Sequence, residues 1–344
     1  MSEMPASYMP HGNKEANSMY DVVALGELLI DFTPDGLSEK GNILFERNPG
    51  GAPANVLAVL SKFGKKTAFI GKVGHDQFGY FLEETLWNNR IESSGLVFAE
   101  NVNTTLAFVH LKEDGDRSFS FYRKPGADLM LEENEVNYDL IRKGRVFHFG
   151  SVSLTGEPFR TATMKAVKFA KQQGLLISYD PNLREPLWDS LDEAKIIISE
   201  GLHYADVLKV SEEELHFLTD SMDLDEGTKW ISDKYGISVI FVTLGNKGCF
   251  YRLRGDVGSI PAYRVKAIDA TGAGDAFFGS ILFHLLENYM KLEQLTILDI
   301  EKFVQFANAA GALTTMRKGA IPAIPNLEQV KLFMMTGFIE TSNQ

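Results

Sequence analysis

The middle of the chain alternates short apolar segments that suit strands with longer segments that suit helices. The strand-like segments cover 146–150, 175–180, 206–210 and 238–245, and the helical ones lie near 157–173, 190–200 and 211–218. Repeated strand–helix units favour a mostly parallel sheet with helices on both faces. In such folds, ligands bind beyond the carboxyl ends of the strands. The pattern therefore predicts an α/β fold and indicates where its site should lie.

Two extended pieces, near 28–47 and 106–123, do not fit this alternation. The second piece has the pattern of a hairpin, and its SFSFYR segment alternates as a strand with one exposed face should. We expect the two pieces to form a small antiparallel β-sheet, inserted as a lid. We also expect residues 1–19 to be a disordered extension, 20–338 to form one domain, and 339–344 to be a frayed end.

Composition argues against several classes of function. The 344 residues carry a formal net charge of −12, which makes nucleic acid or an anionic membrane a poor partner. The sequence has no apolar run of about 18 residues, so we predict no membrane span. Its single cysteine, Cys249, allows no disulfide framework and no cysteine-based zinc site. A lone cysteine fits a reducing compartment, and we expect a cytoplasmic protein.

Two glycine motifs stand at predicted helix starts. GGAPAN at 50–55 opens a helix with Pro53 in its first turn, where proline is tolerated. DATGAGDAFFGS at 269–280 places an acid directly after glycines and before an apolar run. Backbone N–H groups at a helix start can hold an anion. The acid either compensates the helix dipole or takes part in chemistry beside that anion.

These two motifs, together with GKVGHDQFG at 71–79, resemble the two signatures of the ribokinase-like PfkB carbohydrate kinases. The resemblance spans about 21–335 and implies a ribokinase-like three-layer α/β fold. FYRKPGADLML at 121–131 and DPNLREPLW at 180–188 resemble the fructokinases of that family most. The implied activity is ATP-dependent conversion of D-fructose to fructose 6-phosphate. The alternatives are a 2-keto-3-deoxygluconate kinase or another PfkB sugar kinase, and a catalytically inactive, sugar-sensing homologue.

The family resemblance assigns the catalytic roles to the second motif. It implies that Gly272, Ala273 and Gly274 form an anion hole for the transferring phosphoryl group. It also implies that Asp275 is the base that takes the proton of the attacking sugar hydroxyl. Carboxylates are ordinarily ionised at neutral pH, which suits this role. A structural glycine turn with a helix-start acid is the alternative.

The family resemblance also implies a set of sugar-binding residues. A carboxylate among apolar residues needs a partner, glycines admit a ligand close to the backbone, and an Asn amide both donates and accepts hydrogen bonds. Each of the two arginines also has a structural alternative: Arg123 could be a solvated residue at a strand end, and Arg184 could form an ion pair with Asp180. The implied set is Asp31, Gly50, Gly51, Asn55, Arg123, Arg184 and Asp275.

The remaining implied sites bind the nucleotide and cations. Glu214 belongs to a partial match to the family's Asn-x-x-Glu motif and would hold Mg²⁺ through water, although a solvated acidic helix start is an alternative. Asp269 and Gly319 resemble a site for a monovalent cation such as K⁺. An exposed lid makes a homodimer plausible. The implied ATP-binding residues are Lys209, Ser211, Thr243, Gly245, Gly248, Gly272, Gly274 and Asn308.

Overall fold

A nine-stranded sheet organises the computed structural model, which describes residues 20–111, 117–287 and 291–336. The strands in the described residues are β1 Tyr20–Leu25, β2 Leu29–Leu37, β3 Ile43–Gly50, β4 Thr67–Gly74, β5 Ile91–Ala99, β6 Leu106–Leu111, β7 Arg117–Tyr122, β8 Gly144–Gly150, β9 Leu176–Asp180, β10 Val207–Ser211, β11 Val239–Thr243, β12 Cys249–Leu253 and β13 Asp256–Ile260. The strand order of the large sheet is β13-β12-β11-β10-β9-β8-β1-β4-β5. Every pair from β11 to β5 is parallel, whereas the β11–β12 and β12–β13 pairs are antiparallel.

Helices cover both faces of this sheet. They are α1 Ala52–Lys62, α2 Gln77–Asn88, α3 Tyr138–Arg142, α4 Phe159–Gln172, α5 Leu191–Leu202, α6 Glu212–Thr219, α7 Leu224–Tyr235, α8 Ala273–Glu287, α9 Ile297–Thr315 and α10 Leu327–Thr336. Within β1, Val22 and Ala24 belong to the hydrophobic core that contains residues of α1, α8 and α9, while Val23 and Leu25 belong to the core that contains residues of α4, α5 and α6. The predicted three-layer α/β fold is therefore confirmed. In the described residues, no helix is long and apolar enough to cross a membrane.

A smaller, four-stranded sheet stands beside the main one, in the order β3-β2-β6-β7. A small sheet from 28–47 and 106–123 was predicted, but the prediction that it is antiparallel is wrong at its centre. β2 and β6 pair in parallel, because the chain passes through α1, β4, α2 and β5 before it returns. The outer pairs, β2–β3 and β6–β7, are antiparallel. The hairpin tip at 112–116 and the predicted ends at 1–19 and 339–344 lie outside the described residues.

The two sheets meet at the carboxyl ends of the main strands. β2 starts four residues after β1 ends, and β3 delivers Gly50 directly to the start of α1. The start of α8 lies at the same end, since Gly274 approaches Lys209 of β10. The topology therefore gathers both glycine motifs at the edge where parallel α/β folds bind ligands.

Candidate active site

The carboxylate of Asp275 lies in the first turn of α8 and is held by two side-chain amides. Asn55 Nδ2, near the start of α1, donates to Asp275 Oδ2 at 2.7 Å. Asn182 Nδ2, on the loop after β9, lies 3.5 Å from Asp275 Oδ1. Asp275 is only 7% exposed. The structure thus brings the two sequence motifs into direct contact at this carboxylate.

The start of α8 has the features of an anion site. Gly272 adopts a left-handed φ of 76°. Ala276 donates to the Gly272 carbonyl, so the N–H groups of Gly274 and Asp275 precede the intrahelical hydrogen bonds. The N–H of Ala273 instead donates to the Ala270 carbonyl at 3.2 Å. Of the three predicted donors, Ala273 is therefore the one already committed to a turn.

A buried lysine adds positive charge to this helix start. A Cβ atom placed on Gly274 would lie 3.2 Å from Lys209 Nζ, so the ammonium group lies against the glycine. Lys209 Nζ also pairs with Asp180 at 2.9 Å, and both side chains are buried. Burial by itself would lower the pKa of Lys209, but the carboxylates of Asp180, Glu214 and Asp275 raise it. The lysine therefore remains charged beside the predicted anion hole.

The proposed sugar side presents acceptors that lack protein donors. Asp31 on β2 is half-buried, and no described residue donates a hydrogen bond to its carboxylate. Burial raises the pKa of Asp31 to about 7, while Arg184 lowers it. Asn55 Oδ1 is buried and likewise has no partner in the described part of the chain. A buried acceptor without a donor is costly, so both groups suit a ligand that supplies hydroxyl groups.

Close approach accounts for the two glycines next to these acceptors. A side chain at Gly50 would clash with the carboxylate of Asp31. A side chain at Gly51 would clash with the carbonyl of Glu27, and Gly51 adopts a φ of 123° that favours glycine. The glycines therefore allow the end of β3 to lie directly against the Asp31 side chain and the Glu27 backbone.

The two predicted sugar-binding arginines occupy different environments. Arg123 is buried, and its guanidinium donates to Asp128 Oδ2 at 2.7 Å, Thr155 Oγ1 at 2.7 Å and the Val152 carbonyl at 3.0 Å. These bonds fix the guanidinium in place, and Arg123 is not a solvated strand-end residue.

Arg184 is exposed, and its charge acts on Asp31. The alternative of an Asp180–Arg184 ion pair is wrong, because Asp180 pairs with Lys209.

The predicted nucleotide residues surround the ends of β10 and β11. Ser211 and Thr243 are register partners on these strands, and Gly245 follows with a φ of 59° and open space beside it. Packing explains the glycine at position 248, since a side chain there would clash with the Ile260 carbonyl. Asn308 donates to the Ile260 and Pro261 carbonyls, both at 3.2 Å, so its amide group already holds the segment after β13.

The two carboxylates among the predicted cation residues accept hydrogen bonds from backbone donors. Glu214 accepts from Leu183 N and from Ser211 N, each at 2.8 Å. Each carboxylate oxygen retains a further lone pair, which fits contact with a metal through water better than direct ligation. The described residues contain no cluster of three or more metal-ligating side chains. Asp269 accepts from Thr271 N at 2.7 Å and from Gly319 N at 3.0 Å, and thereby joins the two predicted cation loops.

Two residues near the site were not singled out from the sequence. Asn182 reaches the Asp275 carboxylate, and the only signal for it was its place in the DPN segment after a strand. Glu27 is buried, and its Oε1 accepts from Ala52 N at 2.9 Å at the start of α1. Its Oε2 has no partner among the described residues. The signal for Glu27 was an acid directly after Gly26 at the end of the first strand.

Comparisons with known proteins agree with this geometry. Residues 19–327 match the model of the pfkB family carbohydrate kinases. A probable fructokinase-3 of Arabidopsis thaliana is 46% identical over 306 residues, which cover 88% of each chain. The structure of a fructokinase from Xylella fastidiosa with bound ATP superposes with a TM-score of 0.84 at 31% identity, covering 92% of this chain and 99% of that one. A double-mutant fructokinase from Vibrio cholerae O395, in a fructose, ADP and potassium ion bound form, gives 0.82 at 35% identity, with 92% and 99% covered.

Proposed function

The chain belongs to the pfkB family of carbohydrate kinases, and on that premise we propose that it is an ATP-dependent fructokinase that converts D-fructose to fructose 6-phosphate. The observation that carries the proposal is the contact between Asn55 Nδ2 and Asp275 Oδ2. It joins the residues that suit a sugar to a carboxylate that stands next to an anion site. The similarity to named fructokinases supports fructose as the sugar.

The chemistry follows from the position of Asp275. As the 6-hydroxyl oxygen of fructose bonds to the γ-phosphorus, the bond from that phosphorus to the β,γ-bridging oxygen breaks and ADP leaves. Asp275 accepts the hydroxyl proton. The N–H of Gly274 and the ammonium group of Lys209 stabilise the negative charge on the transferring oxygens. Gly272 shapes this turn through its left-handed backbone.

Sugar binding uses the acceptors that the protein leaves without donors. The Asp31 carboxylate and Asn55 Oδ1 would each accept from a fructose hydroxyl. Gly50 and Gly51 allow the sugar to approach the backbone at the end of β3. Arg184 lies at the same edge and would contact either the sugar or the phosphates.

ATP would lie along the ends of β10 and β11, with Thr243 and Gly245 beside its phosphates and Asn308 supporting the adjoining segment. Mg²⁺ would be held by phosphate oxygens and by water bound to Glu214, since that carboxylate retains acceptor capacity. A bound Mg²⁺ supplies charge neutralisation on the phosphates. The loops joined by Asp269 would hold a monovalent cation next to the anion site.

The small sheet supports two further proposals. Closure over the sugar would exclude water and limit ATP hydrolysis. Its outward apolar side chains would form the interface of a homodimer, because exposed apolar patches mark interaction sites. A cytoplasmic location stays a prediction. The exposed apolar residues of the small sheet are Leu37, Ile43, Leu44, Phe45 and Tyr122.

The alternatives from the sequence receive less support. A 2-keto-3-deoxygluconate kinase needs basic groups for the carboxylate of its substrate, and of the two predicted arginines Arg123 is committed to Asp128, which leaves Arg184 alone for that role. An inactive sugar sensor would not need a buried lysine aimed at a glycine helix start beside an intact Asp275.

The test is an ADP-release assay with ATP and, side by side, fructose, glucose, ribose, 2-keto-3-deoxygluconate and a nucleoside. We expect fructose to give the highest kcat/KM. Asp275→Asn should lose nearly all turnover but still bind ATP in calorimetry. Faster turnover of another substrate would contradict the assignment of fructose, and an active Asp275→Asn variant would contradict the assignment of the base.

A further inference from the structure

Asn182 stands on the opposite side of the Asp275 carboxylate from Asn55. It is 8% exposed, and its Nδ2 lies 3.5 Å from Asp275 Oδ1, while Asn55 Nδ2 holds Oδ2 at 2.7 Å. We propose that Asn182 is a positioning residue, whose side-chain amide fixes the plane of the Asp275 carboxylate for proton transfer. This proposal rests on the role of Asp275 as the base under the proposed function.

The loop that carries Asn182 is tethered on both sides of the residue. Pro181 O accepts from Ser151 N at 2.7 Å, and Leu183 N donates to Glu214 Oε1 at 2.8 Å. Asp180, the last residue of β9, pairs with Lys209 at 2.9 Å. Asn182 is therefore presented by a loop whose neighbours are already fixed to the sheet and to α6, which suits precise positioning of a catalytic group.

The same loop also serves the phosphoryl side of the site. Asp180 holds the lysine whose ammonium group lies against Gly274, and Asn182 holds the carboxylate one residue further along α8. One short segment thus sets the base and the positive charge of the anion hole relative to each other. A displaced amide would change the direction of the proton acceptor without changing the anion hole.

Two amides on two different oxygens restrict rotation of a carboxylate. With Oδ1 and Oδ2 each accepting one hydrogen bond, the remaining lone pairs point in fixed directions, one of which would face the sugar hydroxyl. Hydrogen bonds at catalytic groups are often long without substrate and tighten when the complex forms. We expect the 3.5 Å contact to shorten when fructose occupies the site.

The backbone of Asn182 offers a competing reason for asparagine at this position. Its φ of 54° is left-handed, and Asn adopts that conformation more readily than most residues. A purely conformational role would be served fully by glycine, which has no side-chain amide. Asn182→Gly therefore separates the positioning role from the conformational one, and Asn182→Ala adds the backbone strain.

The experiment measures kcat and both KM values for wild type, Asn182→Gly, Asn182→Ala and Asn182→Asp. Arg90→Ala is the matched control for an alanine with left-handed φ, because Arg90 has a φ of 57° on an exposed turn between α2 and β5. Asp275→Asn in the same assay reports the loss of the base itself. Thermal unfolding of each variant separates a folding defect from a kinetic one.

We expect Asn182→Gly to lower kcat by about 10- to 100-fold, the range for a hydrogen bond to a charged group, with the ATP KM nearly unchanged. The fructose KM should change much less than kcat, because the amide contacts the Asp275 carboxylate and not the predicted sugar acceptors. Asn182→Asp should lower kcat further, since it removes the donor and adds a negative charge next to the Asp275 carboxylate. Arg90→Ala should lose stability only.

A wild-type kcat in Asn182→Gly would overturn the proposal, and so would a loss of kcat accompanied by an equal rise of both KM values. Neither result would affect the proposed function as long as wild type phosphorylates fructose and Asp275→Asn does not. Failure of that last pair of results would instead overturn the proposed function.

Discussion

Glu27→Gln should change how the stability of the protein depends on pH. The Glu27 side chain is 4% exposed at the start of α1, where Oε1 accepts from Ala52 N and Oε2 has no partner among the described residues. Burial raises its pKa from 4.5 to about 7, and the charges facing it are Arg123, which lowers that pKa, and Asp128, which raises it. Glutamine keeps an acceptor for Ala52 and removes the titration.

The sign of the effect follows from proton binding. In the unfolded chain the carboxyl group loses its proton near pH 4.5, whereas in the folded protein it keeps the proton until about pH 7. The native state binds more protons in between, so the free energy of unfolding falls as pH rises through this window. A pKa that rises from 4.5 to about 7 corresponds to a loss of at most about 3 kcal/mol in the free energy of unfolding. This loss is complete once the pH exceeds the pKa of the folded state.

Urea unfolding of wild type and Glu27→Gln at pH 5 and pH 8 measures this loss. The variant should gain stability relative to wild type between the two pH values, by about 1–3 kcal/mol. Glu84→Gln is the matched control, because Glu84 is an exposed glutamate on α2 and the substitution is the same. Its difference from wild type at each pH measures the effect of the substitution itself.

Parallel pH dependences for Glu27→Gln and wild type would refute the reasoning. That result would mean that Glu27 is ionised throughout and that Oε2 is stabilised by a donor such as bound water. A change in the opposite direction would mean that interaction with Arg123 outweighs burial.

Three further perturbations test the site. Gly50→Ala should raise the fructose KM by about tenfold or more and leave the ATP KM unchanged, because the new side chain displaces Asp31. Gly255→Ala is the control, since position 255 has open space, and equal effects on the two KM values would contradict the placement of Asp31 in the sugar site. Arg123→Ala should destabilise the protein by about 3–5 kcal/mol in urea unfolding, since it leaves the Asp128 carboxylate buried without its ion-pair partner. An unchanged unfolding midpoint would contradict a structural role for this ion pair. Replacing K⁺ with a bulky organic cation should lower kcat several-fold, and Asp269→Asn should abolish that response.

Much of the fold was predictable because the central strands are buried on both faces. β8 to β11 are short apolar runs separated by helical segments, and each lies within about two residues of its predicted bounds. β5 was missed because IESSGLVFA neither alternates nor forms a continuous apolar run, and it lies at the sheet edge with an irregular register. α3, α7 and α10 were also missed. The parallel pairing of β2 with β6 depends on where the intervening elements return the chain, which local patterns do not encode.

The candidate site was likewise predictable only in part. The glycine motifs predicted where backbone and ligand come close, since Gly50 and Gly51 face acidic or carbonyl groups that exclude any side chain. The sequence did not reveal which polar side chains would form hydrogen bonds or ion pairs with each other. Arg123 is held by Asp128 from one segment and by Thr155 and the Val152 carbonyl from another, and no spacing in the chain predicts that cluster.

The acid in the second glycine motif shows what such long-range partners add. Asp275 and Gly274 are neighbours on one helical turn, so the proposed base and the proposed anion donor are fixed relative to each other by a rise of about 1.5 Å per residue. Their partners nevertheless come from different elements: Asn55 of α1 and Asn182 for the carboxylate, and Lys209 of β10 for the glycine. Because Asn182 and the Asp180 that holds Lys209 are two residues apart, the two sets of partners are coupled by the loop after β9. A change in that loop should therefore alter proton transfer and phosphate stabilisation together, even though the small sheet that would cover the sugar is unchanged.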